Sequence, residues 1–100
     1  MADIKKYKYF HSNEWHEPIS NKWFNSENPA NGKVWATVPD CSKKDINMAV
    51  MAAKKAFYDG PWGKLMPAER GRVLRKIGDV ISKNADRIGA IETRDNGKLP

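Results

Sequence analysis

The side chains with chemistry to offer are one cysteine, Cys41, two histidines, His11 and His16, and two carboxylates three residues apart, Glu92 and Asp95. A thiol becomes a nucleophile as its thiolate, which needs a base within hydrogen-bond reach or another activating neighbour. His11 or His16 could be that base, but the sequence supplies no activating environment around Cys41. Its position favours a structural job, because Cys41 and Ile46 occupy the two positions of a hydrophobic staple around a helix start. The histidines flank a polar turn without a partner cysteine or helical i, i+4 spacing, which argues against a zinc site. A single cysteine also excludes an intramolecular disulfide. Gly63-Lys64 and Gly97-Lys98 resemble the tail of a phosphate loop but lack its upstream glycine and its Ser or Thr. Glu92 and Asp95 share a helix face, either as solvated carboxylates or, for Asp95 near the helix end, as a cation ligand.

The elements that must position these groups read in order as two β-hairpins and then three helices, an α+β arrangement with strands over about 7–38 and helices over about 43–58, 67–83 and 85–95. Tyr7 to Phe10 and Trp15 are aromatic segments split by His11-Ser12-Asn13-Glu14, the first hairpin. Lys22 to Ser26 and Lys33 to Val38 flank Asn31-Gly32, which supply positive φ for a reversal; Pro39 ends the strand because it has no ladder donor. Ser42 and Asp45 form a capping box. Beyond it Ile46, Ala49, Val50, Ala53 and Phe57 recur on one face, and Asp59-Gly60-Pro61 stops the helix. Pro67 starts a second helix that buries Val73, Leu74, Ile77, Val80 and Ile81. Asn84 caps a third, with Ile88 and Ile91 apolar. Gly78 and Gly89 inside these helices point to close packing, since each costs about 1 kcal/mol relative to alanine. Asn96-Gly97 with Pro100 closes the third helix.

The chain has 100 residues, 40% hydrophobic and 30% charged, and carries a formal charge of +6. That is a globular composition with no apolar run long enough for a membrane span and no signal-peptide stretch, so a cytoplasmic protein is expected. The basic balance and the tryptophans Trp15, Trp23 and Trp35 leave open a small nucleic-acid-binding module; a docking or assembly segment is a further alternative. Lysines and arginines are spread along the chain with acids interleaved, however, so charge identifies no nucleic-acid partner.

Three stretches together resemble the N-terminal segment of the aldehyde dehydrogenase superfamily. They are Asn28-Pro29-Ala30-Asn31-Gly32-Lys33-Val34 with Ala36-Thr37-Val38-Pro39; Ala49 to Phe57 with Gly60-Pro61-Trp62 and Pro67 to Leu74; and Glu92-Thr93-Arg94-Asp95-Asn96-Gly97-Lys98. Tyr9 to Trp15 also resembles the family's first hairpin, with Asn13 where glycine is usual, a swap that Asn tolerates. Met66 departs from the family's Ser or Thr helix cap, a loss worth about 1 kcal/mol.

The resemblance implies an NAD(P)-dependent oxidation of a small aldehyde to a carboxylic acid through a cysteine thiohemiacetal. The parent would have an α/β Rossmann-type fold and form a homo-oligomer, a dimer or tetramer. The family's nucleophile, glutamate and dinucleotide loop lie downstream of this segment, so no catalytic or cofactor-binding residue is carried over and the chain alone is expected to be inactive. Its partner would be the remainder of the dehydrogenase chain. One family site does map here, a monovalent-cation site for Na⁺ or K⁺, using the Asp95 carboxylate and the backbone carbonyls of Ser26 and Glu27. On this resemblance Pro100 is a cut through a longer protein.

Overall fold

A computed structural model describes residues 3–99. Pro100, expected as helix stop and cut point, lies outside the described residues. The strands are β1 (Lys5–Lys6), β2 (Tyr9–His11), β3 (Glu14–His16), β4 (Trp23–Glu27) and β5 (Val34–Pro39). Then come α1 (Lys43–Asp59), a short 3₁₀ turn at Trp62–Lys64, α2 (Pro67–Lys83) and α3 (Ala85–Asn96).

β2 and β3 form the first hairpin, with Phe10 opposite Trp15. Ser12 and Asn13 at its tip have φ of 52° and 63°, the left-handed pair that a two-residue turn matched to strand twist requires. Phe10 and Trp15 meet edge to face at 5.1 Å. β4 and β5 form the second hairpin, but its reversal is built differently from the sequence expectation. Within its loop Gly32 has positive φ, at 70°, and Asn31 does not. Asparagine side chains do the turning: Asn28 Oδ1 accepts from the Ala30 N–H and Asn31 Oδ1 from the Lys33 N–H, both at 2.9 Å.

Pro39 does not end the strand ahead of itself; it is the last residue of β5 and pairs with Trp23. The Asp40 N–H donates to the Lys22 carbonyl at 2.9 Å, so the neighbouring Trp23–Pro39 pair exchanges no ladder bonds and the missing proline N–H costs nothing there. The reading as two hairpins alone also missed β1. It lies parallel to β5, giving a sheet ordered β1-β5-β4. A two-residue strand of exposed lysines carries no alternating pattern to find. Ala36, on the central strand, is fully buried.

The α1 capping box forms as expected, with Ser42 and Asp45 bonding reciprocally. At α2 only half a box exists, because Met66 offers no side-chain hydrogen bond while Glu69 Oε1 accepts its N–H at 3.2 Å. Asn84 separates α2 from α3 but does not cap α3 with its side chain; its amide donates back to the Val80 carbonyl at 2.9 Å. α3 closes on Gly97, φ 76°, whose N–H donates to the Thr93 carbonyl.

The expected burial of the helix faces is overturned. Leu74, Ile77, Val80 and Ile81 on α2 are about half exposed or more, Val73 is 38% exposed, and Val50 and Phe57 on α1 are open as well. The periodicity is real, but none of the other described elements covers these faces. Nor is there close packing at Gly78 or Gly89, where an added Cβ would meet nothing within 4 Å. Ile46 is 51% exposed and Cys41 half-buried, so the staple does not seal the start of α1. The molecule is correspondingly open, with extents of 48 × 34 × 17 Å. Its accessible surface is 8411 Å², against roughly 5,800 Å² for a compact monomer of this mass.

Candidate functional site

Where α3 meets β4, the Ser26 hydroxyl donates to Asp95 Oδ1 at 2.5 Å. This is a charge-assisted bond between residues far apart in the chain; it brings Ser26 and Asp95 together through the serine hydroxyl rather than through the backbone carbonyl expected as a ligand. Ser26 pairs with Ala36 and Glu27 with Val34, so the β4–β5 ladder skips Trp35 between them. The extra residue of such a bulge is the one left out of the regular ladder, here Trp35, while Ser26 and Glu27 on the facing strand keep their partners. A recess of about 390 Å³ opens here, with Tyr7, Trp35, Ile91 and Asp95 in its wall. Asp95's neighbour on the helix face, Glu92, behaves differently: its carboxylate lies 3.6 Å from the Lys98 ammonium, both well exposed, an arrangement of little energetic weight.

The buried carboxylate is Asp45, whose structural weight exceeds the capping role read from sequence. It is fully buried. Oδ1 accepts from the Tyr9 hydroxyl at 2.7 Å and the Ile19 N–H at 2.9 Å; Oδ2 accepts from the Ser42 N–H at 2.8 Å and the Ser42 hydroxyl at 2.9 Å. Burial alone would raise the Asp45 pKa. The bonds from Tyr9, Ile19 and Ser42 stabilise the charged form and outweigh that, holding the carboxyl well below the usual carboxylate range. The same bond, with burial and the nearby charges adding to it, pushes the Tyr9 phenol up to about 12. One ion thus ties the first hairpin, the segment after it and the start of α1 together. Four donors on a saturated carboxylate make a structural tie, not a general base.

Cys41 sits at the edge of this knot. Burial, with the Asp45 and Asp40 charges adding, pushes its thiol up from the ordinary value, the reverse of what a nucleophile needs. His11 and His16 stack ring on ring at 3.8 Å with 6° between planes. His11 Nδ1 is 2.9 Å from Ser12 Oγ and His16 Nε2 3.1 Å from the His11 carbonyl, so neither nitrogen is bonded to Cys41. Among the described residues no group of three or more His, Cys, Asp or Glu could hold a metal ion. The tryptophans expected of a stacking surface are separated: Trp15 belongs to the β2–β3 sheet, and Trp35 packs edge to face on Tyr7 at 6.0 Å. No helix among the described residues is long and apolar enough to cross a membrane.

A sequence profile of the aldehyde dehydrogenase family matches residues 15–100. Among curated proteins, (Z)-2-((N-methylformamido)methylene)-5-hydroxybutyrolactone dehydrogenase of Acinetobacter baylyi is 45% identical over 76 residues, 76% of this chain and 16% of that protein. The mitochondrial aldehyde dehydrogenase of Mesocricetus auratus is 42% identical over 90 residues, 89% of this chain and 18% of that protein. The crystal structure of an NAD-dependent aldehyde dehydrogenase from Sinorhizobium meliloti superposes with a TM-score of 0.90 at 31% identity, covering 96% of this chain and 19% of that one. The chain therefore spans less than a fifth of the length of these relatives.

Proposed function

The chain belongs to the aldehyde dehydrogenase family, and from that membership we propose that it is the N-terminal segment of an enzyme that oxidises a small aldehyde to a carboxylic acid with NAD⁺ or NADP⁺. The observation that carries this reading is the match of the family profile over residues 15–100, joined to the close superposition on an NAD-dependent enzyme. The parent has a Rossmann-type α/β fold and assembles as a dimer or tetramer. The thiohemiacetal-forming cysteine, the water-activating glutamate and the dinucleotide loop belong to the remainder of the parent, which is the partner of this segment. Cys41 has no part in catalysis: its raised pKa and its place beside a structural carboxylate both oppose it. Its free thiol suits the reducing cytoplasm, where we place the protein.

The open form of the molecule supports the same reading. The area beyond a compact monomer, about 2,600 Å², is of the size that permanent interfaces bury. The apolar faces of α1 and α2 are then the surfaces that pack against the remainder of the parent. The Ser26–Asp95 junction is proposed to hold Na⁺ or K⁺, with the Asp95 carboxylate and the Ser26 and Glu27 carbonyls as ligands. An all-oxygen set of this kind fits a hard cation, and it places the ion in a structural role at the strand–helix contact.

The test compares two products. The 100-residue chain gives no enzyme-dependent NADH or NADPH with simple aldehydes, whereas the product of the reading frame extended past Pro100 does. Turnover by the short chain, or none by the extended product with either cofactor, overturns the proposal.

A further inference from the structure

The stripe of Ile46, Val50 and Phe57 is not the only apolar feature that α1 leaves uncovered. Met48 and Met51 lie more than a quarter of a turn round the helix from Val50 and Phe57. That is the side the helical period assigns to water, shared with Asn47, Lys54 and Tyr58. Met48, Met51 and Tyr58 are all exposed. The first hairpin takes a third side of α1, where Ala49, Ala52 and Ala56 share a crevice with Phe10 and Asn13. The methionines therefore serve neither the hairpin nor the stripe. A groove of about 710 Å³ opens where their side of α1 meets the hairpin tip, with Met48, Met51, Tyr58 and His11 in its wall. It follows α1 from Lys44 to Asp59, about four turns. Lys44, Lys54 and Lys55 stand round it against one carboxylate, Asp59. All three lysines are exposed, and none is within ion-pair distance of a carboxylate among the described residues.

We propose that this groove docks an acidic amphipathic helix of a partner protein, its apolar residues on Met48, Met51 and Tyr58 and its carboxylates over Lys44, Lys54 and Lys55. Thioether side chains are unbranched and polarisable, so a methionine surface adapts to the shape laid on it. A groove several turns long suits a helix that presents apolar anchors at i, i+3, i+4 and i+7. The lysine rim supplies the selection: it attracts an acidic partner and repels a basic one. A second copy of this chain, with formal charge +6 and the same rim, meets that repulsion. The inference rests on α1 and the hairpin tip, and it stands whether or not the parent is a dehydrogenase.

The probe is a synthetic peptide of about 15 residues with leucine at i, i+3, i+4 and i+7 and glutamate elsewhere. It is titrated into the 100-residue chain labelled with ¹³C at the methionine methyls, in parallel with the same peptide carrying lysine for glutamate and with polyglutamate. The Met48 and Met51 methyl resonances shift saturably with the leucine–glutamate peptide alone, while that of Met66, at the start of α2, stays in place. Equal shifts at Met66, no saturation, or equal binding of the lysine peptide or of polyglutamate overturn the proposal. By calorimetry, Met51→Gln weakens binding about tenfold and Lys54→Gln with Lys55→Gln about fivefold. These side chains are exposed, so the variants keep the circular dichroism of the parent chain; undiminished affinity in them overturns the proposal as well. The product extended past Pro100 gives the same two methyl shifts, and their loss there overturns a partner protein as the occupant.

Discussion

Replacing Gly97 with alanine tests whether the end of α3 depends on its left-handed cap. At φ 76°, a residue with a Cβ pays roughly 1–2 kcal/mol over glycine. The added Cβ would also stand 3.0 Å from Cγ of Pro29, a ring atom with little freedom to retreat. Against this, alanine narrows the unfolded ensemble and returns about 0.4–1 kcal/mol. The balance is a destabilisation of about 1 kcal/mol, concentrated where α3 docks on the β4–β5 hairpin. Gly78→Ala is the matched control, because its Cβ would project into open space from a helix interior; there the same substitution favours the α2 helix by about 1 kcal/mol. Urea unfolding followed by far-UV circular dichroism, with tryptophan fluorescence as a second probe, reads both. The reasoning fails if Gly97→Ala is neutral or stabilising, or if the two variants move in the same direction.

Tyr9→Phe removes one of the four donors to Asp45 and lowers the melting temperature by several degrees. It also reshapes the pH profile: the phenol raised to about 12 contributes stability that is complete below about pH 10 and lost as pH rises toward 12. The variant lacks that alkaline loss. Asp45 acts at the other end, its depressed pKa giving stability that is complete above about pH 4 and lost on acidification; Tyr9→Phe keeps this limb through the bonds from Ile19 and Ser42 but makes it smaller, because the Tyr9 bond is among those that depress the pKa. Thermal melts from pH 2 to 12 check both limbs, and an alkaline loss of equal size in Tyr9→Phe refutes the assignment. For the proposed cation site, thallous ion diffused into crystals gives an anomalous peak beside Asp95 that Asp95→Asn abolishes; its absence from the unsubstituted protein refutes the site.

Local chemistry was the legible part. The capping box at Ser42 and Asp45, the tip of the first hairpin and the glycine end of α3 each depend on residues within a turn of one another, and each forms. What lay between distant residues did not show. Asp45 was read as a cap acid, but its tie to Tyr9 spans 36 positions and its tie to Ile19 spans 26, with no short-range pattern to announce either. β1 was invisible because parallel pairing to β5 rests on backbone bonds that two lysines neither favour nor forbid. Helix burial failed for a different reason. Periodicity says which face is apolar, whereas burial needs a second surface, and the described residues do not provide one for α2. At the candidate site, the resemblance named the Asp95 carboxylate and the Ser26 and Glu27 backbone carbonyls as cation ligands; the structure brings Ser26 and Asp95 together through the serine hydroxyl, a contact no local pattern announced. The orphaned indole N–H of Trp35 likewise follows from packing alone.

The bond between Ser26 and Asp95 joins residues 69 positions apart, and that separation has a consequence for how the chain is made. The early strands leave the ribosome long before their helical partner: at about 5–20 residues per second, the interval is on the order of 3–14 s. During it the β4–β5 ribbon can pair and the Asp45 knot can close, since every group the knot needs precedes residue 46. The exposed stripe of α2 emerges next, ahead of α3, so the nascent chain passes through a stage with a finished N-terminal sheet trailing an unsheltered amphipathic helix. That stage is the one a co-translational chaperone would meet, and slow codons after position 83 would prolong it.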